Sequence, residues 1–305
     1  DRPPHLLRPR HTDRNRDLTP THTQKNASGT VRSAPNTTGG GPAFLQFVKT
    51  ELIPRVDSAY RTVNYRVLVG HSYGGITATH ALYTIPETFN AYVAIDPSLW
   101  YDDQLLLKQA KGFFNKPGLS KKSLFLAQAN TINPDDSTSN LHFSSIVQFN
   151  SVVESYNQSG IRYAYKYYPG DDHGSVPLIA GYDALRFTFA PYKLDRRKAL
   201  ARPAYVKEHF ANVSASLGYQ VLPPEVIVNQ LGSSALTRDT TKAMEFFQMN
   251  AELYPGSSRA FAALGDGWRA KGDTAKAIAN YERALVLDSK NQYATDMIKA
   301  MKGGK

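Results

Sequence analysis

The stretch that most constrains the fold is residues 65–82, YRVLVGHSYGGITATHAL. YRVLV reads as a buried strand, and residues 73–84 follow as a helix. Between them stand Gly70, His71, Ser72, Tyr73 and Gly74. A serine in a sharp turn from strand to helix carries its Oγ free above the sheet, provided that strand and helix pass closely. Gly70 and Gly74 are read as the residues without a side chain to collide there, and Gly75 as relieving the packing further. Tyr73 would place its N–H at the helix start, where the dipole favours negative charge and can help hold an oxyanion. The alternative is a glycine-rich turn with no chemical role.

The pattern continues on both sides. AYVAI (91–95), SLFLAQ (123–128) and IRYAYKYYP (161–169) read as further strands, and residues 141–158 and 177–189 as helices. Upstream, Phe44, Phe47, Val48, Leu52 and Ile53 recur at helical spacing, and Pro42 suits a first helical turn. Strands alternating with helices imply right-handed crossovers and a largely parallel α/β sheet. Reactive loops then lie beyond the carboxyl ends of the strands. Residues 1–41 are rich in Pro, Thr, Asn, Arg and Gly and read as loop.

A serine nucleophile needs a base. Eight histidines are available. His5, His11 and His22 precede the turn, His71 would point away around it, His80 and His209 read as helix residues, and His142 opens a helix with no strand end beside it. His173 lies in YYPGDDHGSVP, directly after the fourth strand, where the base falls in the chain order nucleophile, acid, histidine. The acid is then expected after the third strand, in AQANTINPDDSTSN, as Asp136 or Asp135. Those two read equally as turn residues capping the next helix, which leaves a Ser–His dyad open. Asp172, adjacent to His173, would have difficulty reaching its ring.

Composition narrows the chemistry. The 305 residues contain no Cys, which excludes disulfides, thiolate zinc sites and a Cys nucleophile. The net charge of +10 is partly local, since seven Arg or Lys fall in the first 32 residues, and no nucleic-acid motif accompanies it. It reads as a solvated surface, or as a field that draws in anionic substrates. No apolar run approaches the roughly 20 residues of a membrane span. The N-terminus has no secretory h-region, and either periplasm or cytoplasm fits.

From about residue 237 the texture changes. KAMEFFQMNAELYP and KAIANYERALVLDS are similar, with Ala243 and Ala277, and Phe247 and Tyr281, each 34 residues apart. Phe261, Leu264, Gly265 and Trp268, followed by Ala277, Tyr281 and Ala284, resemble a tetratricopeptide repeat over 258–291. The division expected is an esterase-type domain over 1–235 and a helical extension over 236–305. That extension would serve as a brace or dimer contact, or bind a protein partner.

DRNRDLTPT, GGGPAFLQFVKTELIPRV, RVLVGHSYGG, AIDPSLWYDD and DDHGSVP together resemble the Putative esterase family of α/β-hydrolases over residues 12–190, nearest its periplasmic trilactone esterases of enterobactin-type siderophores. The resemblance implies an α/β-hydrolase fold, Ser72 as nucleophile and His173 as base. It implies that Ser98 and Trp100 lie near the substrate, with Arg14, Arg16 and Asp17 near the pocket mouth. Some trilactone esterases of this branch are Ser–His dyads. Family members carry several strands before the arginine block, whereas none is read in residues 1–41, so the sheet is expected to expose an edge.

The expected activity is that of a serine carboxylesterase acting on siderophore-type or other small esters, with neither metal nor cofactor. Two rivals stand beside it. One is a non-catalytic interaction protein that displays the helical repeat on a degenerate hydrolase body. The other is a thioesterase or acyltransferase on the same fold.

Overall fold

The computed structural model of the chain describes residues 11–25, 37–135 and 140–303. The chain folds as two compact units, the first running to Ala190 and including Leu217–Tyr219, the second holding the remainder from Pro191 onward.

The first unit contains helices α1 (His11–Asp17), α2 (Gly41–Phe47), α3 (Ile53–Ala59), α4 (Tyr73–Thr84), α5 (Tyr101–Phe114), α6 (Leu141–Tyr156) and α7 (Val176–Thr188), and strands β1 (Val67–His71), β2 (Ala91–Ile95), β3 (Ser123–Ala129) and β4 (Arg162–Tyr168). The elements expected over 73–84, 91–95, 123–128, 141–158, 161–169 and 177–189 are all present within a few residues. The segment read as loop is helical over α1. A π-helical turn, Val48–Leu52, joins α2 to α3, with the Ile53 N–H reaching back to the Val48 carbonyl. Pro54 follows at once, and its missing N–H is a physical reason for the ladder to widen there.

All four strands run parallel in the order β1-β2-β3-β4. Alternate strand residues face opposite layers, the period-2 geometry of a pleated strand. Tyr92, Ala94, Leu124 and Leu126 pack with Ile76 and Leu82 of α4, Leu106 and Phe114 of α5, and Ile146 and Phe149 of α6. Val93, Ile95, Phe125 and Ala127 pack with Val176, Ala180 and Ala184 of α7. β2 and β3 are therefore buried on both faces, which is why they read as unbroken apolar runs. Each fully buried Leu or Phe stabilises the fold by roughly 1.5–3 kcal/mol. Among the described strands β1 lies at an edge, and Val69 is 52% exposed. The shared direction brings the residues after β1, β2 and β4 to one rim of the sheet.

Glycine is obligatory at only part of the Ser72 turn. A Cβ at Gly70 would stand 1.9 Å from the Gly74 carbonyl oxygen, and one at Gly75 would stand 2.8 Å from Pro97 Cβ. A Cβ at Gly74 meets nothing within 4 Å. The clearance expected of Gly70 and Gly74 is thus supplied by Gly70 and Gly75. Gly70→Ala should destabilise the protein by on the order of 3 kcal/mol, whereas Gly74→Ala should stay within about 1 kcal/mol of the parent. Chemical denaturation of both variants checks the pair, and equal losses would contradict it.

The second unit is helical: α8 (Arg196–Ala201), α9 (Ala204–Leu217), α10 (Glu225–Leu236), α11 (Thr240–Leu253), α12 (Ser258–Ala270), α13 (Thr274–Leu287) and α14 (Gln292–Gly303). The side chains of Asp239, Ser257 and Asp273 cap α11, α12 and α13. Small residues let these helices approach: a Cβ at Gly265 would collide with the Tyr281 ring, and one at Gly232 with the Phe247 ring. Because Gly232 of α10 already packs against Phe247 of α11, the helical unit begins well before the boundary expected at 236. Among the described residues no helix is long and apolar enough to cross a membrane.

Candidate active site

Ser72 occupies the turn between β1 and α4 with φ 60° and ψ −117°. For a residue with a Cβ this left-handed backbone is strained, and such strain persists only where the surroundings hold it. Here the Ser72 N–H donates to the Ile95 carbonyl at 3.0 Å. The Ser72 carbonyl accepts from Gly75, Ile76 and Ser98 N–H groups at 3.0, 3.2 and 3.2 Å. Tyr73 follows as the first residue of α4, so its N–H has no intrahelical carbonyl to pair with. The Ser72 hydroxyl lies 3.3 Å from the Ser98 hydroxyl.

Ser72, Tyr73, Ser98, Trp100, Thr131, His142 and His173 line one open cavity of about 410 Å³. Trp100 is half-buried, with its ring centroid 6.1 Å from that of Tyr73. The Arg14 guanidinium stands 5.8 Å from the Tyr73 ring centroid. Arg16 does not line this cavity; its Nε donates to Asp17 Oδ1 at 2.7 Å. The arginine block is tied to the site by Thr77, whose hydroxyl donates to the Leu18 carbonyl at 2.8 Å, and by Tyr101, whose hydroxyl donates to the Thr21 carbonyl at 2.7 Å.

His173 projects from the loop after β4. Asp172 shapes that loop by accepting from the Gly174 and Ser175 N–H groups, each at 2.8 Å. These bonds, led by the Ser175 amide, hold the Asp172 carboxyl below its usual range. The Asp172 carboxyl is thus engaged in its own turn, and the carboxyl on His173 Nδ1 is another. Behind His173, the His71 ring packs with its centroid 4.4 Å away. Burial, then the charge of His173, pushes the His71 imidazole below its usual value and favours the neutral ring.

The group on His173 Nδ1 is Asp96, at 2.6 Å from Oδ2. Asp135 does not take that place: it is exposed in a turn, where its N–H donates to Asn133 Oδ1. Asp136 lies outside the described residues. Asp96 follows β2 rather than β3, in the AIDPSLW segment. Serine, aspartate and histidine follow one another in the expected chain order, but the aspartate on the histidine ring falls one strand earlier. The physical reason is the set of partners gathered where β2 ends. The end of β2 lies beside Ser72, which follows β1, and Asp96 bridges to β3, donating its N–H to the Ala127 carbonyl at 2.8 Å and accepting the Ala129 N–H on Oδ1 at 2.9 Å.

Asp96 is fully buried and has φ 40°. Its Oδ2 accepts a second bond, from His142 Nε2 of α6 at 2.8 Å. Burial disfavours the ionised carboxyl, but the hydrogen bonds from His142 and His173, the charge of His142 and the Ala129 N–H outweigh it. The Asp96 carboxyl is held well below the usual carboxylate range. One signal was available in the sequence: an ionisable residue set directly after five apolar strand residues is rarely buried without partners. His142 gave no such signal, because its partner lies 46 residues away. Asp96, His142 and His173 also gather three metal-ligand-type atoms within 4.8 Å of one another. The contacts of 2.6 and 2.8 Å are hydrogen-bond lengths, whereas donors around a zinc ion stand about 3 Å or more apart.

A parallel sheet, a serine on a left-handed turn between strand and helix, and a histidine–aspartate pair at the same rim define the α/β-hydrolase class. The family described as Putative esterase matches residues 14–171, just over half of the sequence, and the chain belongs to it. It is similar to a siderophore triacetylfusarinine C esterase of Aspergillus fumigatus, 40% identical over 82 residues, which is 26% of this chain and 28% of that one. It is also similar to the ferri-bacillibactin esterase BesA of Bacillus subtilis, 28% identical over 159 residues, which is 50% of this chain and 53% of that one. The chain thus spans about half or less of the length of these curated relatives. Among solved structures it resembles an IroE-like serine hydrolase from Shewanella oneidensis at 32% identity and a TM-score of 0.69, covering 79% of this chain and 76% of that one.

Proposed function

We propose that this protein hydrolyses carboxylic esters through an acyl-enzyme on Ser72. The observation that carries the reading is the shared cavity, with Ser72 on its strained turn and His173 beside it, the latter held through Nδ1 by buried Asp96. Asp96, kept ionised, is acceptor-only, so the proton on His173 sits on Nδ1 and Nε2 offers a lone pair. Turning about χ1 away from Ser98, the Ser72 hydroxyl gives its proton to Nε2 as Oγ bonds to the ester carbonyl carbon. The Tyr73 N–H stabilises the oxyanion. Collapse breaks the bond to the alkoxide, which leaves with the proton from Nε2. Water, deprotonated by the same nitrogen, then releases the acid and restores Ser72.

Siderophore-type esters are the proposed substrates, supported by the names of the relatives from A. fumigatus and B. subtilis. Ser98 and Trp100 are proposed to contact the substrate, since both line the cavity. For Arg16 the proposed role is to hold the arginine block through Asp17. The test is a panel of p-nitrophenyl esters, an acyl thioester and a triscatecholate trilactone, with products read by mass spectrometry in the presence and absence of added alcohol. Acid and alcohol products, with the opened trilactone among them, are expected. Turnover of the thioester alone, transfer to the added alcohol in place of water, or no turnover at all would overturn the proposal.

A further inference from the structure

Two imidazoles, not one, hold the Asp96 carboxylate. His142 Nε2 and His173 Nδ1 approach the same oxygen, Oδ2, at 2.8 and 2.6 Å, while the Ala129 N–H occupies Oδ1. An ionised carboxylate accepts only, so both nitrogens carry hydrogen. The rings stand edge to face, 5.2 Å between centroids at 89°. His142 sits in the first turn of α6, its side chain 18% exposed, and lines the cavity that holds Ser72.

From this geometry we infer that His142 is a positioning residue that acts through Asp96, locking Oδ2 toward His173 and dividing the carboxylate charge between two rings. The inference rests on the esterase reading of the site. A hydrogen bond donated to a carboxylate stabilises its charge and weakens its pull on any other donor. His173 is therefore held in orientation without the full pull that an undivided carboxylate would exert on its imidazolium. That matters for a base that must be unprotonated at the start of each cycle.

Among the described residues, the other titratable or charged groups facing this cluster are His71 of β1, behind the His173 ring, Arg14 of α1, Tyr165 of β4 and Asp172 of the His173 loop. The hydrogen bonds of His142 run to Asp96 and from Ser145 and to none of these groups, so replacing His142 tests the shared bond.

The experiment measures kcat and kcat/KM against pH for the intact protein, His142→Phe and His142→Gln, with a p-nitrophenyl ester. In His142→Phe the carboxylate charge falls on His173 alone. The acidic limb should move upward by about half to one pH unit, and kcat should drop by about tenfold. His142→Gln, which restores a donor that does not titrate, should return the limb to the parent position. The low-field proton resonance of the His173 Nδ1–H should move in His142→Phe and hold its place in His142→Gln. Should His142→Phe not fold, the Gln variant still decides: its resonance must match the parent and must lack the His142 Nε2–H signal. An acidic limb and resonance unmoved in folded His142→Phe, or a limb moved downward, would overturn the role of His142. Absence of fluorophosphonate labelling in the parent protein would count against the esterase reading instead.

Discussion

Ser72→Ala is expected to lower kcat/KM for ester hydrolysis by about 10⁴–10⁶ while leaving the fold intact. The size follows from the proposed role, since no other hydroxyl takes that place. Ser98 Oγ is 3.3 Å from Ser72 Oγ, but Ser98 is almost fully buried and does not stand on the left-handed turn. The expected structural effect is small or even favourable. The backbone bonds from Ile95, Gly75, Ile76 and Ser98 hold the turn, and none of them uses the side chain. A steady-state assay paired with a denaturation curve separates the two effects. A loss of activity matched by a loss of folded protein would count against a nucleophilic role.

Asp96→Asn is expected to cost on the order of 10⁴ in kcat, although the amide nearly matches the carboxylate in shape. Three donors converge on Asp96: the Ala129 N–H, His142 Nε2 and His173 Nδ1. An amide has one acceptor oxygen and one donor nitrogen. If its oxygen keeps Ala129, its NH₂ faces both imidazoles and draws the lone pair of His173 to Nδ1. The proton then sits on Nε2, where it blocks transfer from Ser72. This outcome differs from that of a dyad, for which Asp96→Asn would be nearly neutral. Asp135→Asn is the matched control and should stay within about twofold of the parent, because Asp135 is exposed in its turn. Parent-like turnover in Asp96→Asn would remove Asp96 from the mechanism.

The parts of the fold that were legible in the sequence are those where the local pattern and the packing agree. β2 and β3 are buried on both faces and read as apolar runs. α4 declares itself by following β1 across Gly70, whose lack of a Cβ the Gly74 carbonyl demands. The place of His173 was legible because it follows a strand in a loop of turn residues. Other features depend on distant partners. α1 is short, and the segment around it is anchored by Thr77 and Tyr101 from far along the chain. The early start of the helical unit rests on Gly232, which precedes the similar segments, meeting Phe247 within them. Asp96 illustrates the limit most clearly. Serine, aspartate and histidine keep the expected chain order, but the place of the aspartate is set by donors from β3, α6 and the His173 loop. His142 was set aside because no strand end precedes it, yet its α6 turn faces the end of β2.

The central claim is that Ser72 is a nucleophile activated by His173 and Asp96. The most direct measurement treats the intact protein with a fluorophosphonate and locates the adduct by peptide mass spectrometry. One adduct is expected, on the peptide holding Ser72, strongly slowed in His173→Ala and in Asp96→Asn. An adduct elsewhere, or no adduct on folded protein, would contradict the account.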